Sequence, residues 1–173
     1  MMLKELVPST DPILKQSTVP FDFENPPMDP IDLANEMRYN LCKHKGIGLS
    51  APQIGYNYSV FAVGNPEVEE SVLVFFNPKI VHYSENIVAM EEGCLSFPGI
   101  VLKVKRPDGV RMRYTGAGGM AKTDKFGGMT ARVIQHEYDH LQGITFDSKV
   151  SSFHLDKAKK KRKIMNRRMK YVA

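Results

Sequence analysis

The stretch QHEYDHLQGITF, residues 135–146, contains His-Glu-x-x-His, a pattern typical of helical metal sites. Residues four apart lie on one face of a helix, so His136 and His140 can converge on one ion. Glu137 projects near the same place and can act as a base for metal-bound water. In one large group of metallopeptidases a third histidine follows, but Phe146 occupies that position here. The stretch therefore predicts a helix with two metal ligands and leaves the third open.

The same pattern also fits a surface helix with two histidines and a salt-bridging glutamate. Val133, Ile134 and Leu141 lie among the two histidines and indicate that this face is partly buried. Buried imidazoles need polar partners, because burying a polar group without a hydrogen bond costs free energy. The surroundings therefore favour a metal site over a solvated helix.

The residues alone offer several candidates for the third ligand. No glutamate follows Glu137, which excludes the metallopeptidase type that uses a downstream glutamate. His154 and Asp156 lie in a basic C-terminal segment, a poor place to complete a buried site. Cys94 lies in the glycine-bounded turn MEEGCLSFPG, residues 90–99, which presents its sulfur and leaves adjacent backbone N–H groups free. The other candidates are Cys42, His44, His82 and Asp147.

The composition is that of an ordinary globular protein with one core. The chain has 173 residues, 42% hydrophobic and 25% charged, which fits a single domain. No apolar run approaches the roughly 18 residues of a membrane span, and the N-terminal stretch reads as neither signal peptide nor anchor. Two cysteines make no disulfide framework. We expect a cytoplasmic, monomeric protein without a membrane partner.

The net charge of +5 is distributed unevenly along the chain. Residues 149–173 carry ten Lys or Arg and one acid, whereas residues 1–148 carry 14 basic and 18 acidic side chains. We therefore expect one domain over residues 1–148 and a basic helical extension over 149–173, packed on it or projecting from it. Such a segment often contacts nucleic acid or an anionic surface, and a solvated helix docked on the body is the alternative.

The order of predicted elements favours an α+β fold. Residues 29–46 and 128–143 have apolar residues at helical spacing. SVFAV, residues 59–63, and SVLVFF, residues 71–76, are rich in β-branched and aromatic residues and predict strands. VLKVKRPDGVRMRYT, residues 101–115, predicts a hairpin. We expect antiparallel β-sheets packed around a central metal-binding helix, with a C-terminal helix.

Three ordered stretches resemble the motifs of peptide deformylases, which remove the N-formyl group from the initiator methionine of new polypeptides. They are GIGLSAPQIG (residues 46–55), EGCLSFPG (92–99) and QHEYDHLQG (135–143). Weaker similarity extends the resemblance from about Asp11 to Asp147. Three motifs in order are far more specific than His-Glu-x-x-His alone.

The resemblance implies a metal-dependent deformylase in which Cys94 is the third ligand beside the two histidines. The family typically uses Fe(II), and Zn, Ni or Co can occupy the same ligands. The resemblance further implies that metal-bound water attacks the formyl carbonyl, with Glu137 as general base. The side-chain amide of Gln53 and the backbone N–H of Leu95 would hold the oxyanion.

The resemblance also implies where an N-formylmethionyl peptide or nascent chain would bind. Its backbone would pair with the extended segment Gly46–Gly48 and with the strand around Glu92. An ion pair with Arg106 is the alternative role for Glu92, and core packing is the alternative for the apolar residues. The residues expected to line the methionine pocket are Ile47, Gly48, Met129, Val133 and His136.

Two segments depart from the motifs or lie outside them. TGAGGMAKT, residues 115–123, replaces the family's common Asp- and Gly-containing turn, so strand positions there are uncertain and we expect mobility. In this family the C-terminal helix can dock on the ribosome near the nascent-chain exit. The basic charge of residues 149–173 suits such contact with ribosomal RNA through its phosphates.

Two rival interpretations of the metal pattern remain. A metallopeptidase that cleaves internal peptide bonds would share the same water activation. A nucleic-acid-binding module with a structural zinc would want a fourth protein ligand and a broadly basic surface. The acidic body and the lack of an evident fourth ligand disfavour this second interpretation.

Overall fold

A five-stranded antiparallel sheet forms the centre of the fold in the computed structural model, which describes residues 2–170. The strands in chain order are β1 Gly48–Ser50, β2 Val60–Val63, β3 Leu73–Tyr83, β4 Ile87–Gly93, β5 Val101–Pro107, β6 Gly109–Thr115 and β7 Ala121–Gly127. The large sheet has the order β1-β2-β3-β6-β7, and β4 pairs with β5 in a separate two-stranded sheet. Every pair is antiparallel, as predicted.

The helices accompany these sheets as the sequence pattern predicted. Asp29 caps the first helix, because its carboxylate accepts hydrogen bonds from the N–H groups of Ile31 (2.7 Å) and Asp32 (3.2 Å). This cap satisfies two of the donors that a helix start leaves without partners. The bounds of the α-helices are α1 Pro30–Lys43, α2 Gly128–Leu141 and α3 Ser152–Lys170.

Different helices cover the two faces of the large sheet. Neighbouring residues of a strand point to opposite faces, so Phe75 and Phe76 of β3 enter separate clusters. Phe76 packs with Met37 of α1, and Phe75 packs with Ile134 of α2. Helix α2 also contacts β5 of the small sheet. Helix α2, which carries the two predicted histidine ligands, therefore lies centrally between the two sheets, as expected.

A third apolar cluster joins the small sheet to the C-terminal helix. Leu102 and Val104 of β5 lie in it with Phe146, and Leu155 and Ala158 of α3 pack against it. The first turns of α3 therefore pack on the body, whereas Ile164 and Met165 farther along the helix are exposed. The division of the chain at residue 148 stays a prediction.

The predicted hairpin over residues 101–115 is wrong. Strand β5 pairs with β4, whereas β6 pairs with β3 and β7. The turn at Asp108 is tied to the β3–β4 connection instead, because its carboxylate accepts hydrogen bonds from Ser84 (2.6 Å) and Asn86 (2.5 Å). Leu102 belongs to one apolar cluster and Met112 to another, so the chain passes from the small sheet to the large one at this turn.

Strand β7 was not predicted from the glycine-rich segment. It forms a regular hairpin with β6 around the turn at residues 116–120. Across the described residues, no helix combines the length and the apolar character that a membrane span requires.

Candidate metal centre and active site

Three side chains from two elements converge at the proposed metal centre. Cys94 follows β4, while His136 and His140 lie one turn apart on α2. One potential ligand atom from each lies within 4.8 Å of the others. The Sγ atom of Cys94 is 3.3 Å from Nε2 of His140. Both histidines are buried and Cys94 is partly exposed, so the cluster is closed by protein on one side and accessible on the other.

The carboxylate of Glu92 fixes the orientation of His136. Its Oε2 atom lies 3.0 Å from Nδ1 of His136. A carboxylate can only accept a hydrogen bond, so Nδ1 carries a proton and Nε2 is the ring nitrogen available to the cluster. Such a partner behind a ligating histidine holds the ring in place and raises its basicity.

Two buried guanidinium groups keep Glu92 ionised. Arg106 donates two hydrogen bonds to it, at 2.7 and 3.0 Å, and Arg132 donates one at 2.9 Å. Burial by itself raises the pKa of Glu92, but the hydrogen bonds from His136 and Arg106, the charge of Arg106 and the bond from Arg132 lower it to about 2. The side chain of Glu92 therefore makes the ion pair that was its alternative role.

The same network ties the small sheet to α2. Arg106 of β5 also donates a hydrogen bond to Asp139 of α2 at 2.6 Å. Arg132 donates to the carbonyl oxygen of Val104 on β5 at 3.0 Å. No sequence motif marks Arg132 or Asp139 as a member of this network. The signal for Arg132 was its position four residues before His136, on the same helix face.

The protonation pattern of this cluster suits a divalent cation. Burial lowers the pKa of His136, but hydrogen bonds to Cys94 and Glu92 outweigh burial and raise it to about 10. Burial, with the charges of His136 and Arg106, lowers the pKa of His140 to about 3. His136 thus holds an additional proton between the Cys94 sulfur and the Glu92 carboxylate, and His140 is a neutral imidazole beside it. A cation can replace that proton, and a thiolate with two imidazoles is a donor set suited to Zn and similar metals.

Glu137 lies beside the cluster with an unsatisfied oxygen. Its Oε2 atom is buried and has no hydrogen-bond partner among the described residues. Burial raises the pKa of Glu137 to about 7, although the charge of His136 and a hydrogen bond from Ser50 oppose this. A Cβ atom at Gly48 would collide with this carboxylate. Glycine at that position therefore leaves the room that the Glu137 carboxylate occupies.

The amide of Gln53 is held with its NH₂ group toward Cys94. The backbone N–H of Ser50 donates to Oε1 of Gln53 at 2.9 Å, which identifies that atom as the acceptor. The Nε2 atom then lies 3.5 Å from Sγ of Cys94 and 3.3 Å from Oγ of Ser96. Ser50 and Ser96 were not singled out in the sequence, and nothing in their spacing distinguished them.

A cavity of about 500 Å³ opens beside these groups. Ile47 and Met129 lie at its mouth, with about half of each side chain exposed, and Val133 is buried deeper. The structure thus brings the expected pocket residues together around one space. The expected site residues that line it are Gly46, Ile47, Gly48, Gln53, Glu92, Cys94, Leu95, Met129, Val133, His136 and Glu137.

The chain matches the family model described as polypeptide deformylase over residues 3–156. A peptide deformylase of Cytophaga hutchinsonii is 35% identical over 156 residues, covering 87% of this chain and 84% of that protein. The chloroplastic peptide deformylase 1B of Oryza sativa is 47% identical over 124 residues, covering 69% of this chain and 45% of that protein.

Solved structures of peptide deformylases have the same fold. The enzyme of Synechococcus elongatus in complex with actinonin has a TM-score of 0.84 and 32% identity, covering 92% of this chain and 87% of that one. A class I type b peptide deformylase from Acinetobacter baumannii has a TM-score of 0.81 and 30% identity, covering 87% of this chain and 100% of that one.

Proposed function

Because the chain belongs to the polypeptide deformylase family, we propose that Cys94, His136 and His140 hold the divalent metal of a deformylase active site. Enzymes of this family are metal-dependent hydrolases that remove the N-formyl group from the N-terminal methionine of newly made polypeptides and release formate. The protein is a hydrolase of this kind. The observation that carries the assignment of the site is the convergence of the three ligands, two of which, Cys94 and His136, line the same cavity as buried Glu137.

Fe(II) is the proposed native ion, and Zn, Ni or Co fit the same donors. When bound, the ion supplies Lewis acidity, which lowers the pKa of water and polarises a carbonyl oxygen. The thiolate of Cys94 contributes negative charge that an all-histidine site lacks. It also makes the site sensitive to oxidation, because a partly exposed thiolate is readily oxidised.

Glu137 is the proposed general base. Its unsatisfied Oε2 atom and its raised pKa, about 7, suit a group that accepts a proton near neutral pH. In this role the carboxylate takes a proton from the attacking water. It then passes the proton to the leaving amine of the methionine.

The amide of Gln53 and the backbone N–H of Leu95 are the proposed oxyanion donors. Gln53 is buried and its orientation is set by Ser50, so its NH₂ group needs no reorganisation during the reaction. No hydrogen bond from the Leu95 N–H is made within residues 2–170. A preorganised donor of this type is typically worth about 3–4 kcal/mol of transition-state stabilisation.

Two strand edges bordering the cavity support the proposed peptide-binding mode. In the described sheets, β1 pairs on one side only, with β2, and β4 pairs only with β5. Residues of the Gly46–Gly48 segment and of the end of β4, around Glu92, line the cavity. An extended peptide can pair with such edges, while Ile47, Met129 and Val133 receive the methionine side chain.

Ribosome contact through the C-terminal helix is a further proposal. Lys159, Lys160 and Lys163 are exposed on α3, while Leu155 is turned toward the body. An exposed basic face suits RNA phosphates, and the contact would weaken as salt rises. Co-sedimentation with ribosomes, with and without substitution of these lysines by serine, tests it.

A monomeric state and a cytoplasmic location are likewise proposals, tested by analytical ultracentrifugation and by cell fractionation.

Formate release from a formyl-Met tripeptide tests the assignment. Anaerobically purified protein loaded with Fe(II) or Ni(II) is compared with a chelated sample, and we expect release only from the metal-loaded protein. The same sample is offered an unformylated peptide, which a metallopeptidase would cleave. Cleavage there without formate release from the first substrate would replace deformylation by peptidase activity.

A further inference from the structure

The face of the large sheet on which α1 packs carries exposed side chains beyond the helix. Helix α1 packs against β1, β2 and β3, whereas most side chains on the same face of the second half of β3, of β6 and of β7 are exposed. The exposed side chains there include Lys79, Arg111, Arg113 and Lys125. We call this set the sheet cations.

The sheet cations face one another across the strands. Lys79 of β3 is directly opposite Arg113 of β6, and Arg111 of β6 is directly opposite Lys125 of β7. His82 is in register with Arg111 on the other side. Like charges directly opposite each other destabilise a sheet. The fold therefore carries two unfavourable cross-strand pairs on one open surface.

No carboxylate compensates these pairs on the same strand face. The outward positions of β6 and β7 hold, besides the cations, only glycine, alanine and threonine. In the part of the chain that the structure describes, none of the four sheet cations takes part in a salt bridge. Their positive charge is therefore available to a partner.

The small sheet of the same protein shows the opposite arrangement. Lys103 of β5 is directly opposite Glu91 of β4, and both are exposed. Residues 1–148 contain more acidic than basic side chains overall, 18 against 14. Four of the 14 basic side chains in residues 1–148 are the sheet cations. They are grouped on one sheet face, whereas these residues as a whole have an excess of acidic side chains.

Protection of a sheet edge does not explain the grouping. Charged residues on an edge strand prevent edge-to-edge association, which accounts for Lys125 on β7. Lys79, Arg111 and Arg113, however, lie on β3 and β6, which are interior strands. Interior strands need no such protection.

From this geometry we propose that the sheet cations form a docking surface for the phosphate backbone of double-stranded RNA. A duplex presents closely spaced negative charges, and two arginines on adjacent outward positions can each contact a phosphate with a planar fork. The absence of aromatic side chains at the outward positions of β6 and β7 excludes base stacking there, so recognition is by backbone. A lipid surface fits less well, since those positions offer no long apolar side chain to insert. The surface lies on the opposite side of the sheet from α2 and is separate from the deformylase site.

The test compares two double variants of the full chain. Arg111→Thr/Arg113→Thr removes two sheet cations, and Lys103→Thr/Lys105→Thr removes two exposed lysines from β5 as the matched control. Binding to a short labelled RNA duplex is measured by fluorescence anisotropy over a salt series. Because α3 is the same in both variants, its contribution cancels in the comparison.

We expect the arginine variant to bind RNA at least tenfold more weakly at low salt. The slope of log affinity against log salt should fall by about 1.4–1.8, since each of the two lost phosphate contacts contributes roughly 0.7–0.9. The control should bind as the unaltered protein does. Formate release from a formyl-Met tripeptide should be unchanged in both variants, which shows that both are folded.

Three results would overturn the proposal. One is an equal loss of RNA binding in both variants, which would indicate non-specific charge. Another is an unchanged salt slope in the arginine variant. The third is binding to phosphatidylserine-containing vesicles or to polyglutamate that depends on Arg111 and Arg113 more strongly than RNA binding does.

Discussion

The Oε2 atom of Glu92 lies 3.0 Å from the Nδ1 atom of His136, and both residues are buried. Because Arg106 and Arg132 keep this carboxylate ionised, it acts only as an acceptor. The contact therefore holds a proton on Nδ1 of His136 and leaves Nε2 as the nitrogen available to a metal. A residue first considered for peptide binding serves here to position a candidate metal ligand.

Replacing Glu92 by glutamine should weaken metal binding. The amide loses the charge that holds both arginines, and metal affinity should fall by about 10–100-fold, as is typical when such a supporting group is lost. Competition with a chromogenic chelator measures the affinity. Glu91→Gln, at an exposed position on the same strand, is the matched control. Equal affinities in both variants would contradict the positioning role.

Replacing Cys94 by alanine should abolish stoichiometric metal binding, because only two ligands would remain in the proposed set. Elemental analysis after anaerobic loading and desalting measures metal content. Cys42→Ala is the control, since Cys42 lies in α1 and does not belong to the group of potential ligands. Full metal content in the Cys94 variant would show that the ligand set is wrong.

Replacing Glu137 by glutamine should leave metal content intact and reduce kcat by at least about 10²-fold, since general acid–base catalysis typically contributes 10²–10⁴-fold. The amide has nearly the same shape but cannot accept the proton. Both quantities are measured on the same anaerobic sample. Undiminished turnover with verified metal would rule out Glu137 as the base.

Replacing Gly48 by alanine should lower kcat/KM about tenfold or more. The added Cβ would collide with the Glu137 carboxylate and with Val133, and displacement of a reacting group by about 1 Å can cost 10²-fold in rate. Gly118→Ala is the control, because a Cβ there meets no atom within 4 Å. Unimpaired kinetics in the Gly48 variant would mean that the carboxylate is not confined as the structure indicates.

Alkaline pH should destabilise the β6–β7 hairpin through Tyr114. Burial, a 2.7 Å hydrogen bond to Asp124 and the charge of that carboxylate raise the pKa of Tyr114 to about 12, from an ordinary value of 10. The unfolded chain then releases this proton before the folded chain does. The free energy of unfolding should fall as pH rises from about 10 to 12.

Urea unfolding across this pH range measures the effect, with Tyr114→Phe as the comparison. The variant keeps the ring packing but has no phenol to titrate, so the difference in unfolding free energy between the two proteins should shrink toward pH 12. A difference independent of pH would contradict the assignment.

The amino-acid sequence by itself determined the features that depend on local spacing. A helical period places His136, Glu137 and His140 on neighbouring parts of one face, and alternation in β6 turns Val110 and Met112 inward. The cap at Asp29 follows from the residues beside it. Such features are readable because each depends on a few consecutive residues.

Only the tertiary structure decided which distant residues meet. Cys94 joins the histidines, and Arg106 and Arg132 meet at Glu92, through the packing of the small sheet on α2. The register of β3 with β6 pairs Lys79 with Arg113. Sequence spacing does not determine these contacts, because strand pairing depends on the packing of the whole core. The incorrectly predicted hairpin at residues 101–115 is an example, since its apolar residues belong to two different clusters.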